Sequence, residues 1–95
     1  MPAYVISDVR FRDAAALDSY RSPAADSIAQ HGGRYLARGG AVESLEGDWH
    51  PTLIIVEFPD MDRARAWYAS AEYADALQFR DAALTRNLIV VQGMA

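Results

Sequence analysis

Three aromatic residues and one arginine in residues 66–80, together with Tyr35, are the best candidates for chemistry in this chain. Trp67 and Tyr68 belong to the apolar face of one predicted helical piece, and Tyr73 and Arg80 align seven positions apart on the next. Aromatic walls around one fixed cation suit a planar, anionic small molecule such as a carboxylate or phenolate. A guanidinium grips a carboxylate through two parallel hydrogen bonds while the rings supply apolar area. Arg80 is then the anion anchor, with Trp67, Tyr68 and Tyr73 as walls. The competing reading is packing: Trp and Tyr at this spacing also build cores, and an arginine stem can run out to solvent.

Two further groups carry reactive side chains. His31-Gly32-Gly33-Arg34 stands where a helix should end and a strand begin. A free imidazole titrates near neutrality, so His31 is, with Tyr35, a candidate proton handler by residue type; it also suits the negative end of a helix dipole. The glycines follow a helix instead of introducing one, which is the wrong order for a phosphate cradle. Glu46-Gly47-Asp48-Trp49-His50 offers two carboxylates and a histidine, but its spacing matches no strong metal motif and reads as a turn. No metal site is expected.

The composition removes other chemistries. The 95 residues include no cysteine and no lysine, all nine basic residues being arginine. Thiolate nucleophiles, disulfides and Schiff bases are therefore excluded. A net charge of −4 argues against nucleic-acid backbones, which require a basic patch. No apolar run approaches a membrane span, and the start, Met1-Pro2-Ala3-Tyr4, reads as the first strand with no signal segment ahead of it. A single cytoplasmic domain, neither membrane-bound nor nucleic-acid-bound, is the simplest expectation.

The elements that must position these residues follow from periodicity. Residues 3–11, 34–38, 52–58 and 87–93 read as strands, the first two by alternation and 52–58 by a nearly continuous apolar run that suits a central position covered on both faces. Leu17, Tyr20, Ala24, Ile28 and His31 share one helical face over residues 14–31, capped by Asp13 and ended by Gly32-Gly33. Ser22-Pro23 predicts a kink or a fresh start within that helix. Gly39-Gly40 suggests a bulge or bend. Asp60 caps a second helix, and Ser70 a third piece on which Tyr73, Leu77, Arg80 and Leu84 align. The order β-α-β-β-α-β, with right-handed crossovers, gives an α+β ferredoxin-like fold. Its helices cover one face of a four-stranded antiparallel sheet. The other face is also apolar, which predicts a homodimer.

The chain resembles the DUF1330 family. The likeness rests on Tyr20, His31-Gly32-Gly33-Arg34-Tyr35, Arg38-Gly39-Gly40, Leu45-Glu46-Gly47-Asp48-Trp49, Glu57-Phe58-Pro59-Asp60, Ala64, Ala66-Trp67-Tyr68 and Ser70-Ala71-Glu72-Tyr73. Ala71 stands where the resemblance leads one to expect proline. The resemblance implies a dimeric α/β barrel, in which two ferredoxin-like sheets face one another, and no particular reaction. The wider superfamily of such barrels includes cofactor-free monooxygenases, haem-degrading enzymes, isomerases and stress-response proteins, so fold alone does not select among them. Two functions remain open: a small-molecule protein acting without a cofactor as an oxygenase or isomerase on an anionic ligand, or a non-catalytic binding or stress-related module.

Overall fold

The computed structural model describes residues 1–94, apart from the side chains of Ala14, Asp18, Phe79, Asp81 and Ala82. The elements run β1 (Ala3–Phe11), α1 (Ala14–Gln30), β2 (Arg34–Arg38), β3 (Thr52–Phe58), α2 (Met61–Tyr68), α3 (Ala71–Ala83) and β4 (Leu84–Gln92). The four strands form one antiparallel sheet in the order β2-β3-β1-β4, the α+β ferredoxin-like arrangement. The near-continuous apolar run of β3 accordingly occupies an interior strand.

Register decides which residues look at the helices. Val5 stands opposite Val56 and Val90, Ser7 opposite Ile54 and Leu88, and Val9 opposite Thr52 and Arg86. Directly paired residues share a face. Ala3, Val5, Ser7 and Val9 are all buried, so this face carries the helices. The opposite face presents Tyr4, Ile6, Leu53, Ile55, Ile89 and Val91; in the protomer Ile89 is 58% and Val91 44% exposed.

Short polar side chains set the helix ends. Asp13 accepts from the amides of Ala15 and Ala16 at 2.9 and 3.2 Å, and Asp60 from that of Arg63 at 2.7 Å. The Ser70 hydroxyl does two things at once. It donates to the last-turn carbonyl of Trp67 at 2.7 Å and accepts from the amide of Tyr73 at 3.1 Å, closing α2 and opening α3. Each such cap stabilises by about 1 kcal/mol. At the other end of α1, Gly32 takes φ +76° and Gly33 lies so close to Ile28 and Phe58 that a Cβ would sit 2.7 Å from both side chains.

Two local expectations are corrected. α1 runs unbroken through Pro23, with no fresh cap at Ser22. Its buried face (Leu17, Tyr20, Ala24, Ile28) packs as one stripe, and that packing outweighs the one backbone bond proline forfeits. Gly39 makes the expected bend at φ +74°, and a separate register shift of the sheet falls earlier, between Tyr35 and Ala37. Leu84 is the first residue of β4 and not part of the third helix, so it is no helical neighbour of Arg80.

Candidate functional site

The centre of the helix–sheet layer is a stack of rings. Tyr73 has no exposed surface and Trp67 is 3% exposed. Their ring centroids lie 4.3 Å apart, with Phe58 5.5 Å from Trp67 and Tyr68 5.8 Å from Tyr73. The Trp67 indole nitrogen donates to the buried Ser27 hydroxyl at 3.0 Å, and Ser27 in turn donates to the carbonyl of Ala24 at 2.7 Å. Trp67 is thereby locked to α1.

Beside the stack sits a polar knot. The phenol oxygens of Tyr20 and Tyr73 are 2.7 Å apart. Arg86 donates through Nη1 to Tyr20 at 2.8 Å and through Nη2 to Tyr73 at 2.5 Å. Tyr20 comes from α1, Tyr73 from α3 and Arg86 from β4, so the knot ties three elements together. Burial pushes the Tyr73 phenol well above its usual range; Tyr20 adds to the rise and the Arg86 guanidinium opposes it. Burial works against the charge on Arg86, but the two phenol oxygens more than offset it, and its net direction is upward. A cation and a protonated Tyr73 are the states this knot holds near neutral pH. One phenolic proton serves the Tyr–Tyr bond, leaving the other free to donate elsewhere.

Two adjoining clefts open beside this stack and knot. One, of about 420 Å³, is lined by Val5, Ala64, Arg65, Trp67, Tyr68, Leu88, Ile89 and Val90, and is mainly apolar. The other, of about 350 Å³, is lined by Arg12, Tyr68, Arg80, Leu84, Thr85, Arg86 and Leu88. Tyr68 and Leu88 belong to both. In the second cleft Arg12 donates to the Thr85 hydroxyl, through Nε at 2.7 Å and also through Nη2. Among the described lining residues of this second cleft three are arginines and none is acidic.

The expected site residues divide. Trp67, Tyr68 and Arg80 line the paired clefts, whereas Tyr73 forms the layer behind them. Tyr35 lines a separate groove with Arg21 and Arg38, whose guanidinium stacks 4.4 Å over its ring. Its phenol is also pushed up, chiefly by burial, with Arg38 opposing and Tyr73 adding. His31 caps α1, its Nδ1 2.8 Å from the Ser27 carbonyl, and borders a shallow surface cleft with Asp60, Asp62 and Arg63. His31 and Tyr35 are therefore not brought to the cleft that holds Arg80. Among the described residues, no group of three His, Asp or Glu side chains is placed to hold a metal, and no helix is long and apolar enough to cross a membrane.

Sequence reasoning passed over Arg86, which donates to two phenols of the candidate site, because the last strand was expected to begin at Asn87. The signal was present: Leu84, Arg86, Leu88 and Val90 alternate at a spacing of two, so an earlier strand start would have turned Arg86 toward the helices.

The family described as "Domain of unknown function (DUF1330)" matches residues 2–94, and the chain belongs to it. No curated protein matches the sequence. Among solved structures the chain is similar to RPA0582, a protein of unknown function from Rhodopseudomonas palustris, at a TM-score of 0.79 and 21% identity, covering 99% of this chain and 83% of that one. SnoaB, a cofactor-independent oxygenase from Streptomyces nogalater, is similar at a TM-score of 0.70 and 15% identity over 99% and 94% of the two chains. A dimeric protein of unknown function with a ferredoxin-like fold, from Bacteroides fragilis, has a TM-score of 0.62 and 13% identity over 97% and 96%. At these identities the likeness concerns the fold.

Proposed function

We propose that this DUF1330 protein binds a small amphipathic anion, a carboxylate or phenolate on an aromatic or aliphatic body, in the paired clefts between α2, α3 and β4. The observation that carries this reading is the joining of an aromatic-walled apolar cleft to an arginine-lined one through Tyr68 and Leu88. The apolar body lies against Trp67, Tyr68, Leu88 and Val90. The charged end meets Arg80 and Arg86, with Arg12 and Thr85 at the far wall. Arg86, braced by two phenols, is the fixed anchor; Arg80 is the second. A pre-oriented guanidinium loses less freedom on binding than a mobile one, which favours affinity.

The same arrangement supports a reaction without a cofactor. Donors concentrated on one end of a bound anion stabilise negative charge that builds there, as an oxygenase or isomerase substrate requires. The fold likeness to SnoaB is in keeping with this and assigns no substrate. A non-catalytic binding module would use the same clefts without turnover.

The apolar outer face of the sheet supports the homodimer. Ile89 and Val91 lie exposed beside half-buried Tyr4, Ile6, Leu53 and Ile55. Burying such a face against a second copy removes it from water on both sides of a two-fold axis. The fold relative from Bacteroides fragilis is itself described as dimeric.

A thermal-shift series with benzoate, 4-hydroxybenzoate and hexanoate tests the ligand reading. Saturating binding raises the melting temperature by mass action, by about 2.7 kcal/mol of stability at a hundred times the dissociation constant. Arg80→Ala is expected to weaken binding about tenfold or more while leaving the fold intact. Equal shifts in both proteins would remove Arg80 from the site. Oxygen uptake with the bound phenolic acid separates an oxygenase from a non-oxygenase.

A further inference from the structure

The groove that holds Tyr35, Arg21 and Arg38 has a volume of about 420 Å³ and opens between α1 and the β2–β3 side of the sheet. Among the described residues it shares none of its lining with the paired clefts. Buried Leu17 and Ala24 on α1, with half-buried Ile54 on β3, give it an apolar floor. Thr52 adds a hydroxyl to the two guanidiniums and the phenol.

A local irregularity aims one of these donors. Strict alternation along β2 would put Tyr35 and Ala37 on one face and Arg38 on the other. The register shift between Tyr35 and Ala37 changes this: Tyr35 stands opposite Val56 and Arg38 opposite Ile54. Val56 and Ile54 pair with Val5 and Ser7, so both belong to the face that carries the helices. Tyr35 and Arg38 thereby share that face, where Arg21 meets them from the same stripe of α1 as Leu17 and Ala24. A shift of this kind in an edge strand re-aims a side chain, and such shifts concentrate beside binding sites.

The donors are oriented and unspent. The Arg38 guanidinium lies 4.4 Å over the Tyr35 ring, and that of Arg21 lies 5.9 Å from the centre of the Phe11 ring. Stacking occupies the face of a guanidinium and leaves its N–H edge open to an acceptor. Among the described residues, the side chains of Arg21, Arg38, Tyr35 and Thr52 have no hydrogen-bond or ion-pair partner. The phenols of Tyr20 and Tyr73, by contrast, are bonded to each other and to Arg86. Burial, opposed by Arg38, raises the Tyr35 phenol, which keeps its proton near neutral pH and can donate it.

Nearby carboxylates are engaged elsewhere or turned away. Glu57 bonds Arg34 at 2.8 Å, and Glu57 stands opposite Tyr4 on the outer face of the sheet. Asp13 caps α1. The arm that joins β2 to β3 leaves the groove at Gly39, and its Glu43, Glu46 and Asp48 are exposed and paired with neither arginine.

We propose that this groove is a second ligand site, which takes a small dianion, a dicarboxylate or a phosphate monoester, on a short apolar body. Arg21 and Arg38 meet the charged oxygens, Tyr35 and Thr52 donate to the remaining acceptors, and the body lies on Leu17, Ala24 and Ile54. Guanidinium edges offer paired donors to carboxylate and phosphate alike, and the volume suits a small molecule. The site stands apart from the paired clefts and does not depend on their being occupied.

Phenyl phosphate and glutarate, titrated separately at constant ionic strength into nitrogen-15-labelled protein, test the proposal by NMR. The Nε–H signals of Arg21 and Arg38 and the amides of Gly39 and Thr52 are expected to move together with one dissociation constant. Tighter binding of phenyl phosphate assigns the site to phosphate monoesters, and tighter binding of glutarate to dicarboxylates. Arg38→Gln, at an exposed position, is expected to weaken binding about tenfold or more with urea unfolding unchanged, and Arg80→Ala to leave it as it is. Shifts confined to Thr85, Arg86 and Leu88 would place the probes in the paired clefts, overturning the second site and leaving the first. Equal affinity in Arg38→Gln and the native protein overturns it too, as does a lack of saturable shifts with both probes at millimolar concentration.

Discussion

The two tryptophans of this chain make the same hydrogen bond in opposite settings. Each donates its indole nitrogen over 3.0 Å, Trp67 to the Ser27 hydroxyl and Trp49 to the Glu46 carbonyl. Trp67 reaches 40 positions back along the chain and is 3% exposed; Trp49 reaches three positions and is 60% exposed. The first bond joins α2 to α1 and serves the fold of the protomer. The second only holds a ring in place. A polar group satisfied by a distant partner reports tertiary packing, whereas one satisfied by its own turn leaves the apolar ring to be covered by something else.

Truncating the two rings is the most direct way to break the comparison. Trp67→Ala removes a ring in contact with Phe58, Tyr68 and Tyr73 and leaves a cavity at the centre of the stack. Urea unfolding is expected to show a loss of about 3–5 kcal/mol.

Tyr73→Phe has the next largest effect. It keeps the ring but takes one acceptor from Arg86 and the hydroxyl partner of Tyr20. The expected loss is about 1–3 kcal/mol, typical of breaking a buried polar network. The same residue sets an alkaline limit. Its folded pKa lies above the model-peptide value of 10.0, so above that pH the unfolded chain releases a proton that the folded chain retains. Stability from this group is thus complete below pH 10 and falls as the pH rises beyond it. Unfolding measured between pH 8 and 11 is expected to show a shallower alkaline decline in Tyr73→Phe; an unchanged slope would mean that Tyr73 does not retain its proton.

Trp49→Ala lies at the small end. Followed by Trp67 emission at nanomolar concentration, it is expected to alter protomer stability by no more than about 0.5 kcal/mol, as for an exposed side chain away from the core. A loss approaching that of Trp67→Ala would show that the arm packs on its own protomer and would erase the contrast.

Much of the scaffold was legible along the chain because its signals are local. Alternation marks β1, a near-continuous apolar run marks β3, Asp13, Asp60 and Ser70 cap the helices where short acceptors precede helical periodicity, and Gly32 ends α1 with a positive φ. The site was legible only in part. Arg80, Trp67 and Tyr68 do meet at one pair of clefts, but His31 borders a different surface, Tyr35 lines a separate groove, and Tyr73 stands behind the walls. Ser7 adds a feature no pattern signals: its hydroxyl is buried between Ile54 and Leu88 with no partner among the described residues.

What the sequence determined by itself was the order of elements, the apolar character of both sheet faces and the absence of cysteine and lysine nucleophiles. Those depend on residue type and spacing of a few positions. Tertiary structure decided how Arg86 is held. Arg86 meets Tyr20 and Tyr73 from separations of 66 and 13 residues, and only the register of β4 against β1, with Arg86 opposite Val9, turns it toward them. A shift of one residue would have sent that cation to the outer face, because side chains alternate along a strand.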